Sequence, residues 1–216
     1  MRFLKFFLWS CFAVFCGLLL SLSGAFLYLS PSLPSVESLR SIQLQIPLRV
    51  YSSDAKLIAQ FGEMRRTPIA FDDIPQDFIA ALLAAEDDNF ANHYGVDVKS
   101  LMRAATQLLK TGQIQTGGST ITMQVAKNYF LTSERSFSRK INEILLALQI
   151  ERELSKNEIL ELYVNKIYLG NRAYGIEAAA QVYYGKSIDE LTLAQLAMIA
   201  GLPKAPSAFN PLVNPE

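Results

Sequence analysis

Three carboxylates stand in a row at Glu86-Asp87-Asp88, followed by Phe90, a lone histidine at His93, and Gly95. Upstream, Phe78, Ala81, Leu82 and Ala85 recur at helical spacing, so a helix ends at this acidic run. Glu86 falls roughly 90° from the centre of that apolar stripe, at the edge of the buried face and at the negative end of the helix dipole. Partial burial, the dipole and two adjacent acids all disfavour an ionised carboxylate, which suits a residue that takes or gives a proton. The same residues also describe an ordinary solvated acidic turn. With no cysteine or second histidine nearby, His93 is not a zinc ligand, and hydrogen bonding within the turn is its expected role.

Gly117-Gly118-Ser119-Thr120-Ile121-Thr122-Met123-Gln124 precedes Lys127 and Asn128. Two glycines opening a helix leave backbone N–H groups for an anion. Ser119 is the expected N-cap. Thr120, Gln124 and Lys127, at i, i+4 and i+7, bring hydroxyl, amide and ammonium to one face as a cradle for pyrophosphate. A capped helix with a polar exterior has the same signature. In Arg139-Lys140-Ile141-Asn142-Glu143, Arg139 and Glu143 share a helix face away from an apolar stripe of Phe137, Ile141, Ile144 and Leu148. The default there is a surface ion pair worth about 0.3–0.5 kcal/mol. The segment from Lys156 through Ile159, Leu160, Glu161, Tyr163 and Asn165 to a stop at Gly170 reads alone as an amphipathic helix.

These segments need a scaffold that is mainly α. Beyond Pro75 the pattern is helical almost throughout, with capping boxes at Ser155/Glu158 and Ser187/Glu190. Thr111 to Gly118 reads as a mobile Gly-containing loop, and Leu202-Pro203 stops the last helix. Arg49–Tyr51 and Leu57–Phe61 read as a short β-hairpin. At the N-terminus, Phe6 to Leu29 is 24 residues without a charge. As a helix it reaches roughly 36 Å, against a hydrocarbon core of ~30 Å. Arg2 and Lys5 precede it, so the N-terminus is expected inside and the remainder outside. A cleaved signal peptide, with Ser23-Gly24-Ala25 as its site, is the rival; signal h-regions of about 7–15 residues are shorter than this run. The boundaries are 1–30 for the cytoplasmic start and anchor, 31–45 for a Pro/Ser linker, and 46–216 for the external domain. Cys11 and Cys16 both lie in the apolar run, so no disulfide forms outside it. Removing Arg2 and Lys5 leaves 18 basic (20 − 2) against 20 acidic residues, which does not suit nucleic acid.

Four motifs in order are more specific than any one. Glu86-Asp87-x-x-Phe90-x-x-His93-x-Gly95, Gly118-Ser119-Thr120-Ile121-Thr122-x-Gln124, Arg139-Lys140-x-x-Glu143 and Lys156-x-x-Ile159-Leu160-Glu161-x-Tyr163-x-Asn165 resemble the family 51 glycosyltransferases. These are the transglycosylase modules of class A penicillin-binding proteins and of monofunctional peptidoglycan transglycosylases. The resemblance runs from about Arg49 to Pro211. Met123 departs from it, standing where many members carry a second glutamine.

The resemblance implies a lysozyme-like, mostly helical fold with a small membrane-facing jaw. It implies polymerisation of lipid II into glycan strands, by inverting transfer with release of undecaprenyl pyrophosphate. Glu86 matches the catalytic base and Glu143 the second acid, which assists the leaving pyrophosphate. Lys127, Arg139 and Lys140 match positions near the phosphates. Ser119, Gln124 and Asn128 match groove positions, with Thr120 beside them. The resemblance admits a divalent metal, magnesium or manganese, beside Glu143 and requires none. The implied partners are lipid II, carrier-linked glycan, the membrane and other cell-wall synthesis proteins. The implied location is the periplasmic side of the cytoplasmic membrane, on a single-pass anchor.

Class A proteins also carry a penicillin-binding module with Ser-x-x-Lys, Ser-x-Asn and Lys-Thr-Gly motifs. Ser53–Lys56, Ser155–Asn157 and Lys110–Gly112 match those strings in the wrong order, so acyl chemistry is not expected. Gly201–Ser207 looks like the junction to such a module, so this chain is expected to be the N-terminal part of a bifunctional protein. Two rivals stay open on sequence: a lysozyme-like enzyme that cleaves glycan with two carboxylates, and a non-catalytic anchored scaffold.

Overall fold

Half of helix α4 (Ile121–Phe130) is buried outright, with Ile121, Met123, Val125 and Ala126 sealed from solvent. A helix apolar on most sides must be enclosed by others. Here α5 (Phe137–Glu153) and α6 (Lys156–Lys166) enclose it. Only Gln124, Lys127 and Asn128, at i, i+3 and i+4, share an outward, half-buried face. The computed structural model from which this follows describes residues 2–29, 33–42, 44–54, 56–62, 64–112, 117–132 and 136–213.

The elements run in chain order from α1 (Arg2–Leu29) through a hairpin of β1 (Leu48–Tyr51) and β2 (Leu57–Phe61) to β3 (Arg65–Arg66). Then come α2 (Gln76–Glu86), α3 (Val98–Thr111), α4, α5, α6, β4 (Ala173–Tyr174), α7 (Ile176–Tyr184) and α8 (Leu193–Gly201). The fold is mainly α, as expected. The hairpin is antiparallel, with Leu48 opposite Phe61 and Val50 opposite Ala59. A second sheet of two short parallel strands pairs Arg65 with Ala173 and Arg66 with Tyr174, joining the segment before α2 to the one between α6 and α7. Of the loop expected to be mobile, residues 113–116 lie outside the described residues.

Helix α2 packs on α8, burying Phe78 and Leu82. Each such side chain contributes about 1.5–3 kcal/mol on transfer from water. Capping fixes the ends that matter. Ser155 and Glu158 form the expected box at α6, and Ser187 and Glu190 form another before α8. Thr192 and Gln195 add a third at α8 itself. The expected cap of α4 shifts by one residue: Thr120, not Ser119, accepts the Met123 N–H at 3.1 Å.

Helix α5 corrects the sequence reading. Ile141 is 41% exposed, whereas Glu143 is 2% exposed on the face that carries Leu146, Ala147 and Ile150 inward. The helix carries apolar residues on two sides, and the core takes the side that holds the glutamate.

Counting only residues whose side chains are described, no helix is long and apolar enough to cross a membrane.

Candidate active site

Glu86 is the last residue of α2 and is half-buried. Its Oε2 accepts a hydrogen bond from the Gln124 amide nitrogen at 2.7 Å. The same amide's oxygen accepts from the Tyr163 hydroxyl at 3.4 Å. Burial, reinforced by the negative charges of Glu86 and Asp87, holds the Tyr163 phenol well above the usual tyrosine range, so it remains a donor.

Asp87 faces the other way. Its Oδ2 accepts the Ile121 backbone N–H at 2.9 Å, and His93 Nε2 lies 2.9 Å from the same oxygen. His93 Nδ1 accepts the Gly95 N–H at 3.1 Å, which places the ring proton on Nε2, facing Asp87. His93 thus bonds within the turn, as expected. The N-terminus of α4 is an anion site, but the anion it holds is the protein's own Asp87 carboxylate. Thr120 is buried, with its hydroxyl donated to Gly95 O at 2.6 Å and accepting from Met123. It therefore ties α4 to the His93 turn while lining the cleft beside Gln124.

Two clefts meet at Ser119. One, of about 510 Å³, is lined by Glu86, Asp88, Asp97, Arg103, Gln124 and Lys204, among others including Ser119. The second, of about 520 Å³, is lined by Ser119, Lys127, Asn128, Arg139, Lys140 and Glu143, with Leu131 and Thr132. All nine residues singled out on sequence line one cleft or the other.

The cationic cleft has a definite electrostatic structure. Lys140 Nζ donates to Glu143 Oε1 and to Ser119 Oγ, both at 2.7 Å. The expected Arg139–Glu143 surface pair is thus replaced by a Lys140–Glu143 pair whose carboxylate is buried. Among the described residues neither Lys127 nor Arg139 has a carboxylate partner, and the buried Arg139 Nε has no acceptor. Two uncompensated cations beside one compensated cation leave the cleft positive.

The donors do not fit a protein-held divalent metal. Among the described residues Glu143 is the only acid lining this cleft, and its Oε1 already holds an ammonium group. Among the described residues no three His, Cys, Asp or Glu side chains gather into a metal-binding group.

Helix α6, anonymous on sequence, supports the site from behind. Lys156 Nζ donates to His93 O and to Glu151 Oε1, both at 2.7 Å, and lies 4.3 Å from the centre of the Phe90 ring. Thr122 donates to the same Glu151 oxygen at 2.6 Å. Glu161 accepts the Phe71 N–H, and Asn165 makes a two-way bond with the Ile69 backbone. Sequence reasoning missed Tyr163, Asp97, Arg103 and Lys204 as site residues. Only tertiary packing brings Asp97, Arg103 and Lys204 to the cleft and Tyr163 behind it. The strings that resemble acyl-enzyme motifs carry no site: Ser53 is exposed on the hairpin turn, and Ser155 caps α6.

The family described as Transglycosylase matches residues 54–216. The chain is similar to penicillin-binding protein 1A of Pseudomonas aeruginosa, 82% identical over 215 residues, covering 100% of this chain and 26% of that protein. Its similarity to penicillin-binding protein 1A of Escherichia coli is 54% over 214 residues, covering 98% of this chain and 25% of the relative. A crystal structure of penicillin-binding protein 1A from Haemophilus influenzae is 36% identical and covers 79% of this chain and 16% of its own, with a TM-score of 0.39, and no fold argument rests on it. The chain spans about a quarter of the length of the curated relatives it matches. With its motifs gathered on two adjoining clefts and the family match running from residue 54 to residue 216, the chain belongs to the transglycosylase family.

Proposed function

We propose that the two clefts polymerise lipid II into glycan strands, with Glu86 as general base and the cationic cleft as the seat of the departing undecaprenyl pyrophosphate. One observation carries this: a half-buried carboxylate and a pocket of unneutralised cations share a wall at Ser119. The acceptor 4-hydroxyl loses its proton to Glu86 as its oxygen attacks the donor anomeric carbon. The bond from that carbon to the diphosphate oxygen breaks with inversion. Negative charge grows on the diphosphate, where Lys127 and Arg139 stabilise it as fixed charges. Lys140, anchored by Glu143, holds the joint between the clefts. Glu143 thus acts by fixing a cation, and no step is routed through a metal. Ser119, Gln124 and Asn128 complete the polar lining.

The substrate's lipid carrier is the reason to propose an anchor at 1–30, a linker at 31–45 and a catalytic domain at 46–216 outside the cytoplasmic membrane. Support comes from the uncharged run Phe6–Leu29 within helix α1. Helix α3 supports a lipid-facing jaw, since it exposes Val98, Met102 and Leu109. Cell-wall synthesis partners and a following transpeptidase module extend the same proposal. Glycan cleavage is the less suitable reading, because it gives the cationic cleft no task.

The test sets a lipid II polymerisation assay beside a cell-wall lysis assay. E86Q should lose polymerisation while keeping its circular dichroism spectrum. Full polymerisation by E86Q, or lysis by the unaltered chain, removes the proposal.

A further inference from the structure

The Gln124 amide touches Glu86 through its nitrogen and Tyr163 through its oxygen. Such an amide has two orientations related by a half-turn, and they are chemically opposite. In one, an N–H donor supports the carboxylate. In the other, a carbonyl oxygen confronts it, acceptor against acceptor. Something must choose between them.

Tyr163 is the group placed to choose. It is 1% exposed and comes from α6, behind the α4 helix that carries Gln124. Its hydroxyl has one proton to give, and the partner within reach is the amide oxygen. If the amide turned over, its NH₂ would point at the phenol oxygen, the buried phenol proton would lose its acceptor, and the amide oxygen would confront the Glu86 carboxylate. We propose that Tyr163 is a positioning residue for the transfer reaction, orienting the Gln124 amide so that its N–H holds Glu86 ready to accept the acceptor's proton.

The proposal rests on Glu86 being the base. It adds a task for the fourth sequence segment, whose tyrosine touches neither cleft. It also accounts for the burial of a phenol at the centre of the domain. A buried hydroxyl without an acceptor is costly, and this one has an acceptor that ends at the reacting carboxylate. The charged groups around Glu86 are Asp87 and Asp88 beside it in sequence, Asp97 and Arg103 from α3 and its approach, and Lys204 after α8. None of these bonds the Gln124 amide, so its orientation falls to its two partners, Glu86 and Tyr163.

The experiment compares Y163F, Q124M, the double variant and E86Q in the membrane-anchored protein, using purified lipid II. Y163F removes one oxygen and should keep its fold by circular dichroism. The expected result is a kcat roughly tenfold lower with KM within about twofold. Q124M keeps the reach but not the amide, and should lower kcat with KM likewise nearly unchanged. The double variant should be no slower than Q124M alone. Independent, multiplying losses from Y163F and Q124M overturn the proposal, as does an unchanged kcat in Y163F. If Y163F fails to fold, Q124M decides: an unchanged kcat there overturns the relay. An active E86Q instead removes the base assignment, whatever Y163F does.

Discussion

Asp87 Oδ2 accepts the backbone N–H of Ile121 at 2.9 Å, joining the end of one helix to the beginning of another 34 residues later. The carboxylate next to the proposed base thus serves the scaffold. Its neighbour Glu86 points into the cleft, and the two adjacent acids should separate cleanly on substitution. D87A leaves the Ile121 N–H and the His93 ring buried without a partner, at about 1–3 kcal/mol for each unsatisfied group. Urea unfolding midpoints should fall accordingly. E86Q should unfold within about 0.5 kcal/mol of the parent. Equal stability of D87A and parent contradicts the assignment.

Lys127 and Arg139 carry the proposed diphosphate seat. K127A and R139A should each weaken binding of inorganic pyrophosphate roughly tenfold, about 1.4 kcal/mol, by calorimetry. E143Q should act differently. It frees Lys140 from its 2.7 Å partner and strands a buried polar group, so it should lower the melting temperature as well as the activity. Loss of activity in E143Q with unchanged stability argues for direct substrate contact by Glu143 instead.

Gly95 tests the seating of the His93 turn. Its φ is +88°, and a methyl group there would come within 2.6 Å of the Ala147 carbonyl oxygen. G95A should cost more than the roughly 1–3 kcal/mol of backbone strain alone. Gly112 is the control, because its φ is +69° but nothing lies within 4 Å of an added methyl. G112A should therefore show the strain without the collision. Equal losses in the two variants, read as melting temperatures, contradict the packing described.

Burial pushes the Tyr129 phenol from its usual 10 up to about 12. Its folded-state value is raised, so the stability it contributes is whole below pH 10 and is lost as pH rises towards 12. Urea midpoints should decline across that window, and Y129F should decline less steeply. Parallel curves for the two proteins contradict this. Tyr163, Tyr183 and Tyr184 are also raised, so part of the decline should survive in Y129F.

Much of the site was legible because chemistry and helix ends coincide. Glu86 closes α2 where the apolar spacing stops, and Gln124, Lys127 and Asn128 fall on one face by helical period alone. Glu143 was misread because α5 offers two apolar sides. Spacing favoured the side through Ile141, whereas the core took Leu146 and Ile150 and drew the glutamate inward. Ser119 and Thr120 are both competent caps, and only the reach to Gly95 O decides for Thr120. The β3–β4 pairing is two residues long on each side, too short to carry a pattern.

The packing of α2 on α8 has a consequence for biogenesis. Glu86 and its helix are synthesised roughly a hundred residues before the partner that covers Phe78 and Leu82. At a ribosomal rate of about 5–20 residues per second, that apolar stripe waits on the order of ten seconds uncovered. A nascent chain stalled before Leu193 should therefore be recognised by holdase chaperones and cut by proteases, and it should become resistant once α8 has emerged.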